Sequence, residues 1–357
     1  MLLCALAGGA EPREVPAPAA APAAPVAETA VAERVLIPLR PRTTDEWPLA
    51  SKHSGDYVIR VSLPQGPAPP GGFPVIYVLD GDAWFGAAVE VARIREYSKL
   101  SPAVIVGVAY PNRKFFDPVR RTFDFTPPGA SDADMESEGI KLGGGEQFLE
   151  FLNRTLKPQL RTRHPVSSEH ETLFGHSLGG LFVLYALFKS PDSFETFLAA
   201  SPSMFFADEI VLKGEPTFVS NPARHSVRVF VTAGEFETPK VSPEQLEDYR
   251  RYFTAHPELI EGQPVSEALE ELFAPRENVR GRRTASEACA LVERLARAGV
   301  RARFALFEGE EHTAAAVSAL NRGVPFALRP ESKAMPGAAD DAHGCEAARR
   351  LIAAPAT

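Results

Sequence analysis

From Glu33 onward the chain alternates short apolar runs with amphipathic stretches, the pattern of a sheet with helices packed on its faces. Residues 75–79 and 103–108 are continuous apolar runs, as expected of central strands covered on both sides. Residues 34–39 and 57–63 instead alternate apolar and polar side chains and read as antiparallel edge strands. Further short strands are predicted at 172–175, 196–200, 227–233 and 303–307. Between them, Phe148, Leu149, Leu152 and Leu156 share one face of a helix opened by Gly143 to Gly145. Residues 181–189 read as a buried helix, and Ala288, Leu291, Val292 and Leu295 mark another that carries Cys289. The pattern predicts an α/β architecture with a mostly parallel central sheet, helices on both faces and antiparallel edge strands on its N-terminal side.

The two ends of the chain depart from this rhythm. The opening MLLCALAGGAEP is an apolar run followed by small residues, resembling the apolar segment and cleavage end of a secretory signal without its basic start. An exported protein, periplasmic or secreted, is the expectation. Residues 11–32 are almost entirely Ala, Pro, Val and Glu, too poor in bulky apolar groups to offset the entropy of ordering, and read as a tether. Cys4 follows two leucines rather than a small residue, so a lipid anchor is not favoured. One catalytic domain is expected over 33–328, with a long polar, partly helical stretch at 238–281 that is either a lid or a surface excursion. The Ala-, Pro- and Gly-rich residues 329–357 are expected to fray.

Charge and cysteine usage narrow the partners. A net charge of -8 argues against coating nucleic acid or an anionic membrane surface. No other segment has the roughly 18 apolar residues that span a bilayer. The three cysteines and eight histidines never cluster at metal-ligand spacing, so no metal and no cofactor is expected. Cys289 and Cys345 are candidates for a bridge in an oxidising compartment, but the helical setting of Cys289 favours a small buried thiol.

Gly175-His176-Ser177-Leu178-Gly179 matches the G-x-S-x-G elbow, in which a serine sits on a sharp strand-to-helix turn with its hydroxyl exposed above the sheet. Glycines two places before and after are expected because side chains there collide with the neighbouring elements. An apolar strand segment precedes the motif and a helix follows it, the context its mechanism requires. Ser177 is therefore the candidate nucleophile of an α/β-hydrolase.

Such a serine needs a base, and in this fold the acid and the histidine follow it in the chain. Of the downstream histidines, His225 precedes a strand and belongs at the wrong end of the sheet, while His256 lies in the long excursion and is followed by Pro257. His312 comes five residues after Phe307, on a loop at the carboxyl edge where open α/β sheets assemble their sites. It is the candidate base. The carboxylate that orients it is expected just past the preceding strand, where Glu235 and Glu237 both qualify; Glu237 is preferred.

Taken together, these segments resemble the putative-esterase family of α/β-hydrolases, which includes siderophore (enterobactin-type) esterases and, more distantly, S-formylglutathione hydrolase and the mycolyltransferases. The resemblance rests on Tyr57 to Val61 with Leu63-Pro64, Pro74 to Gly81, Ile105 to Val108, Arg121 to Pro127, Gly175 to Gly180, Ser201-Pro202-Ser203, Gly234 to Glu237 and Gly309 to His312. It implies Ser177 as nucleophile, His312 as base, an acid within Gly234 to Glu237, and an oxyanion hole formed by the backbone N–H groups of Asp82 and Leu178. The Asp82 carboxylate must then point away from the hole. Arg121 and Asp124 match a family stretch in which an arginine near the site is able to receive an anionic or catecholate substrate, or else pairs with Asp124 to hold the loop. Trp84 and Phe85 are candidate walls of the acyl pocket. The implied activity is hydrolysis of small-molecule carboxylic esters, with a siderophore ester such as a catecholate trilactone as the leading special case. Acyl transfer and a non-catalytic binding module are the competing readings.

Overall fold

The computed structural model describes residues 45–329, apart from 53–54, 99, 138, 238–242, 256, 261–262 and 274–283, together with residues 345–346. The expected edge strand at 34–39 and the N-terminal segment lie outside these residues.

Eight strands form one sheet in the order β1-β2-β4-β3-β5-β6-β7-β8. They are β1 (Asp45–Ser51), β2 (Gly55–Ser62), β3 (Phe73–Val78), β4 (Val104–Ala109), β5 (Val166–His176), β6 (Thr196–Ala200), β7 (Arg228–Gly234) and β8 (Arg301–Phe307). β1 pairs with β2 and β2 with β4 antiparallel, and every later pairing is parallel. The burial of the strands follows this arrangement. β4 and β7 are buried at every position, as strands covered on both faces must be, whereas β1 at the edge buries Trp47 and Leu49 and exposes Glu46, Pro48 and Ala50. β1 takes an edge position that the sequence pattern did not predict. Pro48 lies within it on the exposed side, and proline, which cannot donate to a ladder, is tolerated at a sheet edge.

Helices lie on both faces and make two apolar layers. One surrounds the helices Gly145–Phe151, Leu178–Lys189 and Thr284–Arg297. The other lies beneath the helices Gly81–Tyr97 and Ala315–Leu328. Crossovers from β3 run to β4 on one side, and the chain then continues through β5 towards β8 on the other. Adjacent β3 and β5 therefore flank the topological switch point, where open sheets leave a crevice outside the strand carboxyl ends.

The long excursion contains helices Pro243–Ala255 and Val265–Phe273, which pack on one another, with a turn at Pro257–Ile260 between them. One expectation, the buried thiol at Cys289, needs correcting: Cys289 is not a free thiol. It is bonded to Cys345, with a Cα–Cα separation of 5.3 Å. The apolar helix face that buries Cys289 also receives Cys345, 56 residues later. No local spacing could have signalled that contact. No helix among the described residues is long and apolar enough to cross a membrane.

Candidate active site

Ser177 follows the last residue of β5 and precedes the helix Leu178–Lys189. Its backbone is held at φ 59 and ψ -119, a conformation costly for a residue with a side chain and sustained only by the packing around it. That packing is visible in the glycines. A Cβ on Gly175 would lie 2.3 Å from the Gly179 oxygen, and one on Gly180 would lie 2.9 Å from the Ala200 oxygen. A Cβ on Gly179 would meet nothing nearer than Asp80 Oδ2 at 3.5 Å, an ordinary contact. The tight pair is thus Gly175 and Gly180, not Gly175 and Gly179.

From the Ser177 hydroxyl a relay runs across the site. Ser177 Oγ lies 3.0 Å from His312 Nε2, and His312 Nδ1 lies 2.7 Å from Glu237 Oε2. Glu237 is buried at the end of β7, and its other oxygen accepts from the Ser201 hydroxyl at 2.6 Å and the Gly234 N–H at 2.7 Å. These donors keep a buried carboxylate in one orientation and offset the loss of its hydration. Glu235 points elsewhere. Its carboxylate accepts from the Gly309 N–H at 2.8 Å and so ties the His312 loop to the end of β7. His225, in the turn before β7, contacts the Gly299 carbonyl instead. His256 lies outside the described residues.

The opposite wall is the turn from β3 into the helix Gly81–Tyr97. Asp80 adopts a left-handed conformation there, at φ 49 and ψ 56, and Gly81 packs against the backbone of Gly107 and Val108. Asp82 and Leu178 thus both lie in first turns of helices, where backbone N–H groups have no intrahelical acceptor. One oxygen of the Asp82 carboxylate is bound by Arg60 of β2 at 2.6 Å.

Arg121 is not a substrate-receiving cation. It is buried, and its guanidinium forks onto Asp80, with Nε 3.0 Å from Oδ1 and Nη2 2.9 Å from Oδ2. Burial works against its charge, but the Asp80 carboxylate outweighs that and raises its pKa. Nor does Arg121 pair with Asp124, which accepts the hydroxyls of Tyr57 and Tyr110 at 2.8 and 3.1 Å. Trp84 and Phe85 are likewise core residues rather than pocket walls. Trp84 is 4% exposed and Phe85 1%, with Phe85 filling the space over Gly107. Three and four residues past the start of their helix, the side chains already turn towards the sheet.

The family model described as "Putative esterase" matches residues 51–252. The chain belongs to that family. It is 33% identical over 285 residues to the ferri-bacillibactin esterase BesA of Bacillus subtilis, covering 77% of this chain and 86% of that protein. The solved structure of the BES protein from Bacillus cereus matches at 30% identity with a TM-score of 0.60, covering 84% of this chain and 98% of that one. The siderophore hydrolase EstA of Aspergillus nidulans matches at 28% identity with a TM-score of 0.64, covering 82% and 98%. The protein is an α/β-hydrolase that hydrolyses esters.

Other residues of this esterase meet at the site without having been singled out by chemistry in the sequence. Ser201, with a positive φ of 44, turns its hydroxyl onto Glu237. Ser203 sets its Oγ 3.3 Å from Ser177 Oγ. Both come from the loop after β6, and the Ser201-Pro202-Ser203 segment was their only signal. Among the described residues, one group of cysteine and carboxylate side chains lies close enough to share an ion: Cys289, Glu293 and Cys345. Its two sulfurs are joined to each other.

Proposed function

We propose that this esterase cleaves the ester bonds of a siderophore outside the cytoplasm, using Ser177 as nucleophile, His312 as general base and Glu237 as the acid that orients the base. The observation that carries the catalytic assignment is the unbroken relay from Ser177 Oγ through His312 to Glu237, at 3.0 and 2.7 Å. His312 Nε2 takes the Ser177 proton as Oγ bonds to the ester carbonyl carbon, and the carbonyl electron pair moves onto oxygen. The N–H groups of Asp82 and Leu178 receive that oxyanion, a contribution of about 3–4 kcal/mol per donor in comparable sites. His312 then returns the proton to the departing alkoxide, leaving an acyl group on Ser177. Water attacks the acyl carbon with His312 again as base, which releases the acid and restores the serine. Glu237, oriented by Ser201 and Gly234, accepts from Nδ1 and stabilises the imidazolium.

The substrate class is supported by the relatives, one of them a ferri-bacillibactin esterase and another a siderophore hydrolase. Phe115, 56% exposed and edge-on to the buried Trp84 that abuts His176, offers one aromatic face to a bulky polyphenolic ligand. Export is supported by the Cys289–Cys345 disulfide, which persists in oxidising compartments, and by the signal-like start of the sequence.

The test compares kcat/KM for a catecholate trilactone with that for acetyl and octanoyl p-nitrophenyl esters. A preference for the trilactone of about 10²-fold or more is expected, a margin that polar recognition readily supplies. Failure to cleave the trilactone would remove the siderophore assignment and leave a plain esterase. Arg121→Met in the same series is expected to lower stability by about 3–5 kcal/mol, as loss of a buried ion-pair partner does, without changing the preference.

A further inference from the structure

His176 is the last residue of β5 and the immediate neighbour of Ser177, yet its side chain points to the other side of the strand from the turn that presents the hydroxyl. Alternation along β5 sends it in the same direction as Phe174, into the layer beneath the helices Gly81–Tyr97 and Ala315–Leu328. There it is 2% exposed, held between the Trp84 ring at 5.3 Å and the His312 ring at 4.7 Å. Its Nε2 lies 2.7 Å from the backbone carbonyl oxygen of His312. A carbonyl oxygen only accepts, so Nε2 carries the proton and Nδ1 is bare, buried and without a hydrogen-bond partner. Burial, followed by the nearby His312 and Arg121, depresses the ring pKa to about 3. The ring therefore stays neutral, in one tautomer, throughout the range in which a histidine base is useful.

Other bonds hold the His312 loop at neighbouring residues: the Phe236 N–H on the Glu310 carbonyl, Glu235 on the Gly309 N–H, and Glu311 on the N–H groups of Thr313 and Ala314. The His176 bond comes from a buried side chain and acts on the backbone of the base residue itself, as Glu237 acts on its ring. It also originates one peptide unit from the nucleophile, so any movement of Ser177 on its strand carries the anchor of the base with it.

We propose that His176 is a positioning residue, whose Nε2–H fixes the His312 backbone so that the base keeps its separation from Ser177 Oγ through the catalytic cycle. This rests on the roles proposed above for Ser177 and His312. Displacing a catalytic group by about 1 Å costs on the order of 10²-fold in rate, so the effect falls on kcat rather than on substrate binding.

The test uses two substitutions of equal length that differ in the donor. His176→Met, which lacks the N–H, is expected to lower kcat by roughly 10- to 100-fold with KM changed by less than about 3-fold. His176→Gln, whose amide N–H reaches the position of Nε2, is expected to recover kcat to within about 5-fold of the parent protein. A Met variant with undiminished kcat, or a Gln variant as impaired as Met, would overturn the proposal, the second result assigning the role to ring packing instead. If the Met protein does not fold, His176→Asn replaces it, since its amide is one methylene too short to reach the carbonyl and should behave as Met was expected to. Ser177→Ala measured alongside separates the two levels: activity surviving there removes the catalytic assignment itself, whereas an inactive Ser177→Ala beside an unimpaired His176→Met removes only the positioning role.

Discussion

Ser177 and His312 meet at 3.0 Å, but the chain holds them by different means. Ser177 is fixed by backbone alone. A strand, a turn at positive φ and a helix are compressed until Gly175 has no room for a side chain, and the Ser177 N–H bonds the Ala200 carbonyl at 3.0 Å. His312 stands on a loop after β8 that touches the end of β7 through the Phe236 N–H and Glu310 carbonyl, but around the base itself side chains make the bonds: Glu237 to its ring, Glu235 and Glu311 to the loop backbone, and His176 to its own carbonyl. The nucleophile is placed by steric necessity and the base by a set of replaceable polar contacts. Rigidity of the first kind fails when volume is added, and precision of the second kind fails when a donor or acceptor is removed.

The largest contrast should appear among the acceptors around the base. Glu237→Gln is expected to lower kcat by about 10³-fold or more, because the imidazolium loses its charged partner and the tautomer is no longer enforced. Glu235→Gln, whose oxygen still accepts from Gly309, should cost less than about 10-fold. Steady-state kinetics on a p-nitrophenyl ester reads both, and equal losses would mean that the loop tether matters as much as the ring contact. On the nucleophile side the contrast lies in stability. Gly175→Ala is expected to destabilise by about 1–3 kcal/mol or more through overpacking against Gly179, whereas Gly179→Ala, in ordinary contact with Asp80, should cost under about 1 kcal/mol. Denaturant titration measures the difference, and equal tolerance at the two positions would show that the elbow is looser than its geometry implies.

The same contrast governs what could be read from the sequence. The elbow and its flanking strand and helix are local, so Ser177 followed from a motif of five residues. β3, β4, β6 and β7 were legible because buried strands are apolar runs, whereas only the apolar end of β5 was, and β8 alternates with arginines. β1 was not, since Asp45–Ser51 contains Pro48 and only two inward apolar residues, Trp47 and Leu49. His312 was reachable by chain order, and Glu237 was separable from Glu235 only by preference, since both sit past the same strand. Arg121 misled for a physical reason. A lone arginine beside a presumed pocket looks like an anion receptor until its partner is known, and that partner, Asp80, lies 41 residues earlier. Trp84 and Phe85 misled because helical phase, not proximity to the oxyanion turn, decides which way a side chain faces. The Cys289–Cys345 bridge and the His176 contact depend on residues 56 and 136 positions apart, beyond any local pattern.

The central claim is that the Ser177 hydroxyl attacks the ester carbonyl with His312 as its base. It is tested most directly by treating the folded protein with a fluorophosphonate and mapping the adduct by peptide mass, with activity followed in parallel. The account predicts stoichiometric labelling at Ser177 that tracks loss of activity, and no labelling at that rate in Ser177→Ala or His312→Ala, each with kcat reduced by about 10⁴-fold or more and the double variant little worse than either. An adduct on another residue, or full activity in a folded Ser177→Ala protein, would contradict it.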